Sequence, residues 1–247
     1  MKNSILLILI SISSVFVGGL ISNAYGQKPE EVSRSTVEIV GHRGAAYLAP
    51  ENTIASLKKA IELGADAVEV DIHLSKDGEI VVIHDYTTNR TTNQDFVVAE
   101  ENYSTLEQLD AGSFKSIAFK GEKIPLLKDV LEYLPEDIIL YIEIKAKAEI
   151  ISTLEDLLAE HEKIKQFRII AFDIETLTKT KKQLPSIPCY FLKSTVNAKD
   201  YSKLIRDLKK RGLDGADLGY KTITKKLVKK LNRAGMPCLA WTVNSAE

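Results

Sequence analysis

Glu69 and Asp71 lie two residues apart, and Glu143 stands two residues before Lys145, each pair inside a short apolar run. Side chains at i and i+2 of a strand share a face. Both pairs therefore point away from Val68, Val70, Ile72, Ile142 and Ile144. Taken alone, such an alternation is what the wet face of an amphipathic strand shows. In a closed parallel barrel the face opposite the helices is the interior, where a carboxylate is costly unless it holds a cation or a partner. Three carboxylates near strand ends would form an oxygen-rich site suited to Mg²⁺ or Ca²⁺. His42-Arg43 ends one apolar run and His84-Asp85 another. Imidazoles exchange protons near neutral pH, and a guanidinium pairs with phosphate oxygens, so the set fits phosphoryl chemistry. His73 shares the Glu69 face but lies past the carboxylates, and His161, in a polar helix-like stretch, reads as surface. A glycosidase built on Glu69 and Asp71 would leave Arg43 and two histidines surplus to its chemistry.

These residues need elements that bring them to one place. Apolar runs alternate with amphipathic helical patterns, the mark of β/α units around a parallel sheet. The predicted strands are Val37–Val40, Ala67–Ile72, Ile80–His84, Ile138–Ile144, Arg168–Phe172, Cys189–Leu192, Gly215–Leu218 and Cys238–Val243. Helical periodicity joins Ile54, Leu57 and Ile61 ahead of Gly64, then Ile151, Leu154 and Leu158, then Leu227, Val228 and Leu231 ahead of Gly235. Seven or eight strands over about 220 residues favour a β/α barrel of the TIM type over an open doubly wound sheet. Ser75-Lys76-Asp77-Gly78 is a turn signal in a segment too short for a crossover helix. The long polar segment 86–122 is read as an insertion after the third strand, a position where barrel loops build sites.

The chain has 247 residues, 45% of them hydrophobic and 27% charged, which excludes a disordered or collagen-like protein. A net charge of −1 gives no general attraction for nucleic acid. Residues 199–233 are the exception, with twelve Lys and Arg against four Asp; a solvated outer helix face accounts for such a run, and an anionic membrane surface is the alternative. Cys189 and Cys238, the two cysteines, sit in apolar strand patterns and read as buried free thiols, with a disulfide open only to an exported chain that brings them close.

At the start, an uncharged run from Ile5 to Ile21 precedes small residues suited to cleavage after Ala24 or Gly26. Residues 1–26 are read as a secretory signal peptide, 27–35 as a linker and 36–247 as the domain, so the expected location is periplasmic or secreted, with no stable membrane span after cleavage. The run approaches the length of a spanning helix, but no positive cluster follows to stop transfer. At the other end, the strand pattern through Val243 is followed at once by Asn244-Ser245-Ala246-Glu247, and the sequence reads as truncated.

Gly41-His42-Arg43-Gly44, Pro50-Glu51-Asn52-Thr53, Glu69-Val70-Asp71, Lys76-Asp77-Gly78, His84-Asp85, Glu143-Ile144-Lys145 and Trp241-Thr242-Val243-Asn244 occur in order and at suitable spacing. In this the chain resembles the glycerophosphodiester phosphodiesterases. The resemblance implies a β/α barrel that hydrolyses small glycerophosphodiesters to sn-glycerol 3-phosphate and an alcohol. It implies that Glu69, Asp71 and Glu143 hold one divalent cation, Ca²⁺ or Mg²⁺, and that His42 and His84 are the acid and base. It further implies that Arg43 binds phosphate with Lys145 nearby, that Glu51 and Asn52 support these groups, and that Trp241 lines the glycerol side. Two departures stand out. Ala171-Phe172 replaces a Ser-Phe pair, and the helix and closing strand beyond the tryptophan motif are missing, which would leave two strand edges open. A related lipid-headgroup lyase, or a non-catalytic phosphate-binding barrel, remain the alternative readings.

Overall fold

Alternation of apolar strands with amphipathic helices leaves the strands only one neighbour type, each other in parallel, with the helices covering the outside. In the computed structural model, which describes residues 6–10 and 37–244, this is the arrangement found. The strands are β1 (Leu6–Ile10), β2 (Ile39–Gly41), β3 (Ala67–Leu74), β4 (Ile80–Val82), β5 (Ile139–Ile144), β6 (Phe167–Ala171), β7 (Cys189–Lys193), β8 (Gly215–Gly219) and β9 (Cys238–Val243). All but β4 run parallel, in the order β3, β2, β1, β9, β8, β7, β6, β5 and back to β3.

The outer face of this sheet and the inner faces of the helices form one large core that includes Val68, Val70, Ile72, Leu140 and Ile142. A smaller cluster inside the barrel, including Val40, Tyr141, Ile170, Tyr190 and Leu239, makes its floor. Helix Ile54–Glu62 starts where Thr53 accepts a hydrogen bond from Ser56 N, and helix Lys225–Arg233 where Thr224 does the same for Leu227 N. Gly64 and Gly235 follow helices in the left-handed conformation (φ 85° and 75°), as their spacing predicts.

Two expectations are corrected. Ile80–Val82, read as the third barrel strand, instead pairs antiparallel with β3 and lies outside the ring. The connection is too short for a crossover, so only a hairpin can be made; Ser75 Oγ bonds Asp77 at 2.6 Å and Gly78 takes φ 86°. The segment 86–122 therefore grows from a hairpin rather than a barrel strand. It packs through its own cluster, including Val98, Leu106, Leu109 and Ala111, against Val81 and Ile83. The second correction concerns the edges of β2 and β9, expected to be open. Both pair in parallel with Leu6–Ile10, a stretch inside the segment read as a signal peptide. The remaining residues of that segment, the linker and residues 245–247 lie outside the described residues. Cys189 and Cys238 are buried free thiols on strands separated by β8, and burial pushes each up to about 12. No helix among the described residues is long and apolar enough to cross a membrane.

Candidate active site

The turn after β2 is shaped by close approach. Gly44 has φ 76°, and a Cβ on it would fall 2.5 Å from the carbonyl carbon of Ser56, so helix Ile54–Glu62 can sit against the turn only with glycine there. Arg43 is itself left-handed (φ 53°), an uncommon state for a long side chain. Its backbone is held on both sides. Arg43 N donates to Glu69 Oε2 at 2.8 Å, and Arg43 O accepts from Ser56 Oγ at 2.8 Å and Asn52 N at 3.2 Å.

Parallel register then assembles the acids. β3 and β5 pair Asp71 with Glu143, and Glu69, two residues back, shares their inward face. Glu69, Asp71 and Glu143 are buried, with oxygens all within 4.8 Å of one another. Cations surround them: Arg43 Nε is 3.3 Å from Asp71, and Lys145 Nζ lies 3.2 Å from Asp71 and 2.6 Å from Glu143. Asn52, also left-handed (φ 59°), donates its amide to Asp71 Oδ2 at 2.8 Å and accepts from Asp71 N at 3.1 Å. Glu69 Oε1 is buried without any hydrogen-bond donor. An orphaned carboxylate oxygen within an all-oxygen donor set fits a hard divalent cation.

The charges perturb one another. Burial, then the charges of Asp71 and Glu143, hold the Glu69 carboxyl well above its ordinary value. Burial and Asp71 push Glu143 up to about 7 against the pull of Lys145. Asp71 feels the same burial, but Lys145 and Arg43 overcome it and hold this carboxyl low. Burial, with Arg43 beside it, lowers His42 to about 4, so its imidazole is neutral at neutral pH. His84 donates Nδ1–H to Asp85 at 2.6 Å, and its carbonyl accepts from His73 Nε2 at 3.1 Å.

His42, Arg43, Glu69, His84, Glu143 and Lys145 line a single cavity of about 110 Å³. Phe172 and Trp241 close its apolar side, edge to face with centroids 5.5 Å apart, and Lys145 lies 5.9 Å from the Phe172 ring centre. Trp241 Nε1 donates to the Asp217 carbonyl at 3.3 Å. Of the ten site residues the resemblance implies, His42, Arg43, Glu69, His84, Glu143, Lys145 and Trp241 line this cavity, while Asp71, Glu51 and Asn52 reach it through their contacts with Arg43 and Lys145 or, for Asn52, with Asp71. Ala171 packs into the outer core, away from the cavity, so the absent hydroxyl leaves no gap there. A larger groove, about 980 Å³, runs along the flank between helices Ile174–Gln183 and Tyr201–Arg211, but it gathers neither imidazoles nor buried acids.

Sequence reasoning passed over Arg90. From the 86–122 segment it donates to both Glu51 oxygens at 2.8 Å and to Asp85 at 2.5 Å, while Glu51 also binds Arg43 at 2.8 Å. An Arg90–Glu51–Arg43 chain thus ties the segment to the turn after β2. No local pattern marks a contact across 39 residues. His73, set aside by its position, fixes the backbone of His84. His161 is half-buried against Phe167 rather than free on the surface, with ring centres 5.2 Å apart.

A parallel β/α barrel with buried acids, imidazoles and cations at the carboxyl ends of its strands belongs with barrels that act on phosphate esters. Residues 42–247 match the model of the glycerophosphoryl diester phosphodiesterase family. A glycerophosphodiester phosphodiesterase of Caldanaerobacter subterraneus is 33% identical over 216 residues, covering 85% of this chain and 86% of the relative. One from Bacillus subtilis is 30% identical over 232 residues, covering 87% and 79%. Among solved structures, an Oleispira antarctica phosphodiesterase in complex with the product sn-glycerol 3-phosphate superimposes with a TM-score of 0.77 at 29% identity, over 84% of this chain and 85% of that one. The Thermotoga maritima glycerophosphodiester phosphodiesterase gives 0.68 at 28%, over 84% and 87%. The chain belongs to the glycerophosphoryl diester phosphodiesterase family, and phosphodiester hydrolysis is its activity.

Proposed function

We propose that the protein hydrolyses small glycerophosphodiesters with the help of one divalent cation, Ca²⁺ or Mg²⁺, held by Glu69, Asp71 and Glu143. The observation that carries this reading is the convergence of both imidazoles, Arg43 and Lys145 on one small cavity beside the three acids. When bound, the cation supplies charge neutralisation at the phosphoryl oxygens. Arg43 and Lys145, already placed among these acids, take the remaining phosphate oxygens. His42, neutral because it is buried beside Arg43, accepts the proton of the attacking hydroxyl. His84, oriented by Asp85 and by His73, donates a proton to the departing alkoxide as the P–O bond to the alcohol breaks. Trp241 and Phe172 form an apolar wall for the glycerol carbons. The attacking oxygen comes from water or from the glycerol hydroxyl; a cyclic phosphate transient in ³¹P NMR marks the second route.

The purified chain should release sn-glycerol 3-phosphate from glycerophosphocholine, stop in EDTA, and recover with Ca²⁺ or Mg²⁺. His42→Ala and His84→Ala should each cost roughly 10²–10⁴ in rate. A 4-nitrophenyl ester, whose leaving group needs no proton, should restore the His84 variant and not the His42 variant. Activity that survives both EDTA and His42→Ala refutes the mechanism. The apolar run ahead of Ala24 supports export as the cellular setting, although cleavage there would also remove Leu6–Ile10 from between β2 and β9; N-terminal sequencing of protein recovered from the producing cell tests it.

A further inference from the structure

Helices Tyr201–Arg211 and Lys225–Arg233 lie side by side on the outside of the barrel, over β7 to β9. Tyr201 Oη bonds Thr224 Oγ1 at 3.1 Å and Lys230 Nζ bonds Ser202 Oγ at 3.0 Å, so the two present one continuous face. Leu204 and Leu208 of the first helix and Leu227 and Leu231 of the second are buried beneath it. What remains outside is cationic: Lys203, Arg206, Lys210, Lys225, Lys226 and Lys229 are all exposed. Among the described residues none of these six is within 4.0 Å of a carboxylate. The stretch 199–233 holds twelve Lys and Arg against four Asp, in a chain whose net charge is −1. Two of those four Asp contribute little to the face, because Asp214 pairs with Lys181 at 2.9 Å and Asp217 is buried inside the barrel. A chain of net charge −1 that sets these six exposed cations on one flank has a directional field there rather than a diffuse one.

We infer that this flank docks the enzyme on an anionic lipid bilayer surface. The chemistry of the face favours lipid over nucleic acid. Its cations are mostly lysine, point charges without the fork that reads phosphates in pairs, and neither helix exposes an aromatic side chain on which a base could stack. Both helices run along the barrel wall after β7 and β8, so a protein lying on this flank keeps its mouth in water. Given the phosphodiesterase reading, that orientation suits substrates that are phospholipids stripped of their acyl chains, released by deacylation at the same surface.

The test is sedimentation of the full chain with vesicles of phosphatidylcholine alone or with 30% phosphatidylglycerol, in about 50 mM salt. Partitioning should be at least tenfold stronger on the anionic vesicles, and that preference should disappear in 0.5 M salt. The triple variant Lys225→Gln, Lys226→Gln, Lys229→Gln should lose about a hundredfold in that partitioning. It should still hydrolyse glycerophosphocholine normally and melt at the native temperature, which separates this idea from the catalytic one. The apolar N-terminal run, with Lys2 ahead of it, is common to both proteins, so the difference between them reports the helix flank. Equal binding to both kinds of vesicle, or undiminished binding by the variant, overturns the inference. Displacement from anionic vesicles by an equal phosphate concentration of duplex DNA also overturns it.

Discussion

Asn52 holds the geometry of Asp71 by two hydrogen bonds while sitting at φ 59°, so its replacement separates hydrogen bonding from backbone strain. In Asn52→Ala, Asp71 loses a charge-assisted bond of 2.8 Å, worth about 1.5–3 kcal/mol, and its buried N–H loses an acceptor, at roughly 1–3 kcal/mol. Alanine also pays about 1–2 kcal/mol for the left-handed conformation that asparagine tolerates. The expected destabilisation is therefore about 4–8 kcal/mol. Asn52→Gly loses the same bonds and escapes the strain, but gives back roughly 0.4–1 kcal/mol through a freer unfolded chain. It should be the more stable variant by up to about 1.6 kcal/mol. Urea unfolding followed by circular dichroism measures both differences. Because Asp71 is then positioned only by Arg43 and Lys145, activity at saturating cation should fall about 10–100-fold in both variants. A glycine variant less stable than the alanine variant refutes the strain argument. Losses below about 1 kcal/mol in both refute the hydrogen-bond argument.

Glu69→Gln removes one of three acids packed within 4.8 Å, so in EDTA it should melt no lower than the native chain. With cation at about a hundred times its dissociation constant the native chain should gain about 2.7 kcal/mol, roughly 5–10 °C, and the variant nothing; calorimetry checks both. Arg43→Lys keeps the charge but not the fork that reaches Glu51 and Asp71 together, and kcat/KM should drop about a hundredfold; a loss under threefold would show that charge alone suffices. Asp85 is partly buried, yet its bonds to Arg90 and His84 hold it at about 2, below the ordinary 3.8. Its stabilising contribution is therefore present above pH 4 and lost as pH falls toward 2, and Asp85→Asn should flatten that part of the acid unfolding curve. Deleting residues 1–26 removes β1 and unpairs β2 and β9, so the melting temperature should fall; an unchanged melt would show that Leu6–Ile10 does not hold the barrel.

Residue types and their spacing alone named the groups that could do the chemistry. Strand periodicity put Glu69 with Asp71 and Glu143 with Lys145 on inward faces, because a side chain's direction in a strand is a local property. The same locality made the helical periodicity of Ile54, Leu57 and Ile61, the glycine stops and the Ser75–Gly78 turn readable, while the cap at Thr53 came only with the structure. It did not reveal that the turn folds β4 back out of the barrel, since pairing partners are chosen by the whole sheet. Nor did it show Arg90 reaching Glu51 and Asp85, His73 bracing His84, or Leu6–Ile10 between β2 and β9. Those contacts, and the charges of the buried groups, arise from long-range packing. Burial beside Arg43 lowers His42, while Asp71 and Glu143, neighbours in register on adjacent strands, are driven in opposite directions. Such shifts depend on distances and on water excluded by distant segments, and neither is written in any short stretch of chain.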